Sequence, residues 1–262
     1  MSHDAQRPRK KPITEPADPL DIPTPLEPAD DTNLANDDDT AVVRPSKSIE
    51  RLTQVRLKLN LAHAEVQRDL TDCQSMHRRV MRLFQHVNAT RDINDILYRI
   101  DRDGADWWVT IQSTAYADVT MLPAGYAVPP IRTRDDAWER LQQMEVGRQY
   151  PFTLVANIVK RDFHLHRTRT VYDKEEQLTW LRRKGEQHGF RIDEDASALV
   201  SLDIVRDPQV NGIHRNGRLS YDAFRISGML TVVDPPLLAY TIATGIGKAK
   251  AYGFGLLTLV GV

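Results

Sequence analysis

A single cysteine, Cys73, among 262 residues excludes an internal disulfide and leaves too few thiolates for a cysteine-based zinc site. Long apolar runs are also missing. None reaches the roughly 18 residues of a membrane span, and the N-terminal MSHDAQRPRKK has charge with no apolar stretch behind it, which argues against a secretory signal. Net charge is nearly absent, at −1 from 35 Lys+Arg against 36 Asp+Glu, so no overall field announces a polyanionic partner. A soluble, cytoplasmic protein without membrane contact is expected.

What is present is unevenly placed. Residues 1–47 carry 10 acidic against 6 basic side chains, 8 of the 15 prolines and almost no aromatics, a composition that cannot offset chain entropy by burial. Residues 1–48 are therefore expected to form a disordered acidic extension. The remainder is slightly basic, with a charge of +3, and 41% apolar composition for the whole chain is enough for a core.

From position 53 the pattern has period two, with Val55, Leu57, Leu59 and Leu61 on one face, as in a half-buried strand. Thr71 to Gln74 spell a capping box, and Met76, Val80, Leu83, Phe84 and Val87 follow at helical spacing, which predicts a helix over 72–88. Strands are expected at 93–100 and 107–113. A Pro/Gly-rich loop then leads to a short helix at 135–145. A second set repeats the order: a strand at 150–160, a helix at 174–188 capped by Asp173 and Glu176, an irregular strand at 198–206 and a strand at 223–233. A helix opened by Pro235 and Pro236 and the final strand FGLLTLV complete it. Two βαββαβ sets predict an α+β protein of tandem ferredoxin-like domains, at 49–148 and 149–262.

The stretch Gly245-Ile-Gly247-Lys248-Ala-Lys250-Ala-Tyr252-Gly253-Phe254-Gly255 is the most specific local feature. It is no Walker loop, because GKA replaces GK[ST]. It is no dinucleotide fingerprint either, because its glycines follow a helix and precede a strand. Two readings stay open: a loop whose backbone approaches a phosphate chain beside Lys248 and Lys250, or a corner that permits tight packing. His77 stands in the first predicted helix beside Arg78, Arg79 and Arg82. It reads either as a boundary residue or as a proton carrier beside a phosphate seat. His164 and His166 share one face of an extended stretch with no acidic or thiol partner to complete a metal site. The basic residues around them, Lys160, Arg161, Arg167 and Arg169, suit a nucleic-acid backbone or a solvated strand face equally. No metal or small-molecule cofactor is called for.

Four segments together resemble the CasE family of CRISPR-associated endoribonucleases, the crRNA-processing RAMP proteins of type I-E Cascade. They are DCQSMHRRVMRLF, GRQYPFTLVAN, EEQLTWLRRKGEQHGF, and GMLTVVDPPLL with GIGKAKAYGFGLLTL, spread over roughly residues 52–262. The resemblance implies tandem ferredoxin-like domains, a CRISPR repeat hairpin and crRNA as partner, other Cascade subunits as neighbours, and metal-independent cleavage at the hairpin base. It implies His77 as the catalytic histidine, with Arg78 and Arg82 the choices for charge stabilisation. It places Gly245, Gly247, Lys248 and Lys250 on the RNA-binding surface. The family often has a tyrosine three residues before the histidine, where this chain has Gln74, and Ala-Asn-Pro where this chain has Ala156-Asn157-Ile158. An alternative is a non-cleaving subunit that only holds the RNA hairpin.

Overall fold

A computed structural model of the chain describes residues 44–85, 95–162, 167–193, 201–214 and 217–262. The N-terminal half is built on β1 (Thr53–Leu59), β2 (Leu97–Asp103), β3 (Asp106–Ser113) and β4 (Ala127–Arg134). They form one antiparallel sheet in the order β2-β3-β1-β4. Two helices, α1 (Ala64–Thr71) and α2 (Cys73–Arg82), connect β1 to β2. Between β3 and β4, in the expected Pro/Gly-rich loop, stands a single 3-10 turn, Val119–Met121. The alternating face of β1 (Val55, Leu57, Leu59) packs against Met76, Val80 and Phe84. Each of those three helix-side residues is no more than 2% exposed and contributes about 1.5–3 kcal/mol by burial.

The C-terminal half repeats the plan with β5 (Gln149–Ala156), α4 (Lys174–Gln187), β8 (Phe190–Asp193), β9 (Asp203–His214), β10 (Gly217–Val232), α5 (Pro235–Thr244) and β11 (Leu257–Leu259). The sheet order is β11-β5-β10-β8, and β9 pairs with the first part of β10 beyond the reach of β8. Both halves thus have the ferredoxin-like strand order. A separate hairpin, β6 (Val159–Asp162) and β7 (Arg167–Thr170), leaves the end of β5. The helix α3 (Ala137–Gln142) was counted with the first domain from the sequence. Its Ala137 and Leu141, with Met144 beyond it, join the core of the second half, as do Ile49 and Leu52. Among the described residues no helix is long and apolar enough to cross a membrane.

Several expectations change. The capping box is not formed: Thr71 closes α1, an unanticipated helix, and its hydroxyl donates to the Gln67 and Arg68 carbonyls. Asp72 is the N-cap of α2, its carboxylate accepting the Gln74 N–H. The helix predicted to 88 ends at Arg82, with residues 86–94 outside the described set. The Pro/Gly-rich loop contains β4, which tolerates Pro129 and Pro130 because it lies at the sheet edge, where one row of N–H donors is not needed. The strand predicted over 150–160 divides into β5 and β6, and FGLLTLV supplies only three strand residues. Residues 1–43 of the expected extension lie outside the described residues. Ser46 is held, however, its N–H and hydroxyl meeting the Tyr240 hydroxyl at 3.2 and 3.0 Å, and Lys47 pairs with Asp95 at 2.7 Å.

The two halves are joined by charged side chains, of which Arg99 is buried and Asp101 and Arg225 half-buried. Arg99 of β2 donates to the Thr153 and Leu256 carbonyls and to the Thr258 hydroxyl, all from the second half. Asp101 accepts from Arg99 at 2.8 Å and from Arg225 of β10 at 2.7 Å, and Arg225 also pairs with Asp207 at 2.9 Å. Burial alone would push the Asp101 carboxyl up, but the two guanidiniums outweigh it and hold it below the usual carboxylate range.

Candidate active site at the domain junction

The site starts at the N-terminus of α2. One oxygen of Asp72 accepts the N–H groups of Gln74 and Ile213, each at 3.2 Å, while the other accepts the Ser75 hydroxyl at 2.6 Å. Arg78 donates to that hydroxyl at 2.9 Å and stands 3.8 Å from the carboxylate. Ile213 belongs to β9, so one side chain caps the helix and ties it to the β9–β10 hairpin. The fit is close: a Cβ on Gly212 would come 2.6 Å from the Cys73 Sγ.

One turn along, half-buried His77 meets Tyr252, ring centroids 6.0 Å apart and planes at 64°. Tyr252 ends a 3-10 turn, Lys250–Tyr252, within the glycine-rich stretch. Its ring stacks on Tyr221 of β10 at 5.3 Å, and Tyr221 in turn meets Phe254 edge-on at 5.9 Å. The stretch reaches this position because Gly245 and Gly255 take φ values of 79° and 83°. A Cβ on Gly255 would lie 2.5 Å from the Ile246 carbonyl oxygen. The Ile246 N–H donates to Gly255 at 2.9 Å and the Gly255 N–H to Val155 at 2.8 Å. Those amides therefore serve the corner itself, so packing is a real part of what the glycines do. Lys248 is exposed and its backbone bridges to Asn157, while the Lys250 ammonium donates to the Thr244 carbonyl at the C-terminus of α5. Lys250 thus caps a helix, where a cation is favoured.

The α2 arginines divide. Arg78 and Arg82 are exposed, one turn apart. Arg79 turns into the core, where it pairs with Asp69 at 2.8 Å and with Glu65, and lies over the Tyr126 ring. It does not join a phosphate seat. Gln74 does not act as a capping side chain; its Oε1 is buried with no hydrogen-bond partner among the described residues. The basic hairpin places Lys160 opposite Arg169 and Arg161 opposite Thr168. Lys160 and Arg169 share Glu176 at 3.3 and 3.1 Å, which partly neutralises that face and holds the Glu176 carboxyl below its ordinary range. Arg167 pairs with Asp162 in the strand register, and His164 and His166 lie outside the described residues. Among the described residues no group of three or more His, Cys, Asp or Glu side chains is arranged to hold a metal ion.

Sequence reasoning placed His77 and the glycine stretch in separate domains and missed Tyr252 as the contact between them. The aromatic alternation Tyr252, Phe254 inside a glycine-rich loop was the available signal. It also left Cys73 as a thiol at i−4 of His77. Burial, reinforced by Asp72, pushes that thiol up to about 11, so it is protonated at neutral pH. Alkylation of the folded protein by iodoacetamide at pH 7.5 should run roughly two orders of magnitude slower than that of a free thiol near pKa 8.5. Reaction at the free-thiol rate would show that Cys73 is a thiolate in the folded protein.

A sequence model of the CRISPR associated protein family matches residues 54–260. The CRISPR-associated endoribonuclease Cse3 of Thermus thermophilus is 28% identical over 213 residues, covering 78% of this chain and 97% of that protein. The CRISPR system Cascade subunit CasE of Escherichia coli is 32% identical over 128 residues, 45% of this chain and 60% of that protein. The structure of Thermus thermophilus Cse3 bound to an RNA representing a pre-cleavage complex superposes with a TM-score of 0.67 at 26% identity, covering 80% of this chain and 99% of that one.

Proposed function

Because the chain belongs to the CRISPR associated protein family, we propose that it is an endoribonuclease that binds the repeat hairpin of precursor CRISPR RNA and cleaves at its base. The observation that carries this reading is the junction of His77 and Tyr252, a titratable ring on one domain set against the glycine-rich corner of the other. Its support is a chain that covers nearly the whole of a protein named as an endoribonuclease. The protein works in the cytoplasm and stays on the processed crRNA beside other Cascade subunits.

The chemistry needs a 2′-hydroxyl deprotonated, a 5′-oxygen protonated as it leaves, and charge on the phosphorane neutralised. His77 carries the proton transfer, since an imidazole titrates near neutrality. The exposed Arg78 and Arg82 face the developing charge. The products are a 2′,3′-cyclic phosphate and a 5′-hydroxyl, formed without a metal ion. Lys160, Arg161, Arg167 and Arg169 hold the RNA backbone from the β6–β7 hairpin, and Gly245, Gly247 and Lys248 from the corner, where Lys250 caps α5 instead.

The test is a hairpin repeat RNA incubated with the protein in EDTA. Two fragments are expected, the upstream one ending in a cyclic phosphate. A requirement for divalent metal would overturn the mechanism. A second reading, a subunit that holds the hairpin without cutting it, is favoured by Gln74, which cannot exchange a proton at neutral pH; intact RNA in a stable complex would establish it.

Lysine replacement separates the corner's two roles. Lys248→Ala should reduce the slope of log affinity against log salt by about 0.7–0.9, the value of one phosphate contact. Lys250→Ala should instead lower the melting temperature, because the α5 C-terminus loses its cation. An unchanged slope for Lys248→Ala removes that side chain from the RNA surface.

A further inference from the structure

Beside Tyr252 lies a cavity of about 440 Å³ between the two domains, at the lower end of the roughly 300–1,000 Å³ of small-molecule sites. Four aromatic side chains line it, Tyr98 and Trp107 from the first domain and Tyr252 and Phe254 from the second. Cys73 and Met76, on the turn of α2 that leads to His77, form part of its wall. Val155, Val210 and Ala223 add apolar surface from β5, β9 and β10. Polar groups are few: Asp69 and Thr71 on α1, Asn211 and Asp207 on β9, and two arginines, Arg225 and Arg102. The Arg102 guanidinium lies 3.8 Å over the Trp107 ring, a cation and an aromatic face presented together.

We propose that this cavity receives one unpaired nucleobase of the substrate RNA, that of a nucleotide flanking the scissile phosphate. The proposal rests on the endoribonuclease reading above. Tyr252 carries the placement, because the same ring touches His77 and lines the cavity. A phosphate held at His77 therefore has its neighbouring sugar beside the cavity mouth. A flat aromatic group with hydrogen-bonding edges suits aromatic walls with an amide, two carboxylates and guanidiniums among them. Arg102 complements the charge of the chain to which that base is attached, while Arg225 is held by Asp101 and Asp207. Seating the base also serves the reaction. Attack by a 2′-hydroxyl needs the attacking oxygen, the phosphorus and the leaving oxygen near a line, and a nucleotide pulled out of its stack is held away from helical geometry. The cavity thus orients the sugar for His77.

The experiment uses the full chain and single-turnover cleavage of repeat hairpin RNAs made abasic at the nucleotide on either side of the cut. One of the two should lose about 5- to 150-fold in rate or affinity, the range for a base stacked on aromatic side chains. Filling the cavity with Val210→Trp should cause a similar loss on intact RNA, with little further loss on the abasic RNA. A 2-aminopurine at the sensitive position should be quenched on binding to wild-type protein, a readout that does not depend on the variant folding. Both abasic RNAs cleaved like intact RNA, or no quenching at either position, overturns the proposal. Full multiplication of the two losses does so as well. Intact RNA cleaved by wild type in the same assay keeps the endoribonuclease reading standing when the cavity proposal fails; intact RNA left uncut sinks that reading instead.

Discussion

His77→Ala should lower the single-turnover cleavage rate of a repeat hairpin by about 10²- to 10⁴-fold, the usual worth of a general acid-base group. Hairpin affinity should stay within a few-fold of wild type. The separation follows from geometry. The imidazole is half-buried against Tyr252, whereas Arg78, Arg82, Lys160, Arg161, Arg169 and Lys248 are exposed and remain in place. Affinity loss equal to the rate loss would make His77 a binding group. Near-normal cleavage would remove it from the chemistry altogether. Truncation at this position is not expected to unfold α2, because the helix is held by its Asp72 cap and by Met76 and Val80, at 2% exposure each.

Asp101→Asn should cost up to about 3–5 kcal/mol of stability, the penalty for leaving the buried Arg99 guanidinium without its carboxylate, while Arg225 keeps Asp207. For a chain of this size that is a fall in melting temperature of roughly 6–20 °C. Asp101 receives both Arg99, whose side chain is 8% exposed, and Arg225, and together they join β2 to β10 across the domain boundary. The folded carboxyl lies below its ordinary value, and an unfolded aspartate titrates near 3.9. Its contribution is therefore complete above about pH 5 and is lost as pH falls through the folded pKa. The wild type should lose stability on that acid limb, and Asp101→Asn should show a flatter one. Equal melting temperatures and parallel acid limbs would show that the cluster does not hold the domains together.

The two effects differ in what could be foreseen. Local order was legible in the chain: the alternation of Val55, Leu57 and Leu59 marked β1, Asp173 was a helix start, and Pro235 with Pro236 opened α5, because each signal needs only neighbouring residues. α1 escaped because its eight residues bury only Val66 and Asp69, too few to display a period. β4 escaped because its prolines belong to an edge strand, a position fixed only by its single partner β1. The β9–β10 hairpin was cut short because its distal half is largely exposed and carries little apolar alternation.

By itself the sequence determined that strands and helices follow one another in two successive α+β sets, that His77 rides a helix and that a glycine-rich corner follows the last helix, since periodicity, caps and glycine spacing are local properties. Only the tertiary structure decided which groups meet. Sheet register and domain packing bring Tyr252 to His77, turn Arg79 inward to Asp69, give Lys250 to Thr244, and set Asp72 to clamp Ile213. Such contacts depend on residues far apart in the chain, and no local pattern records them.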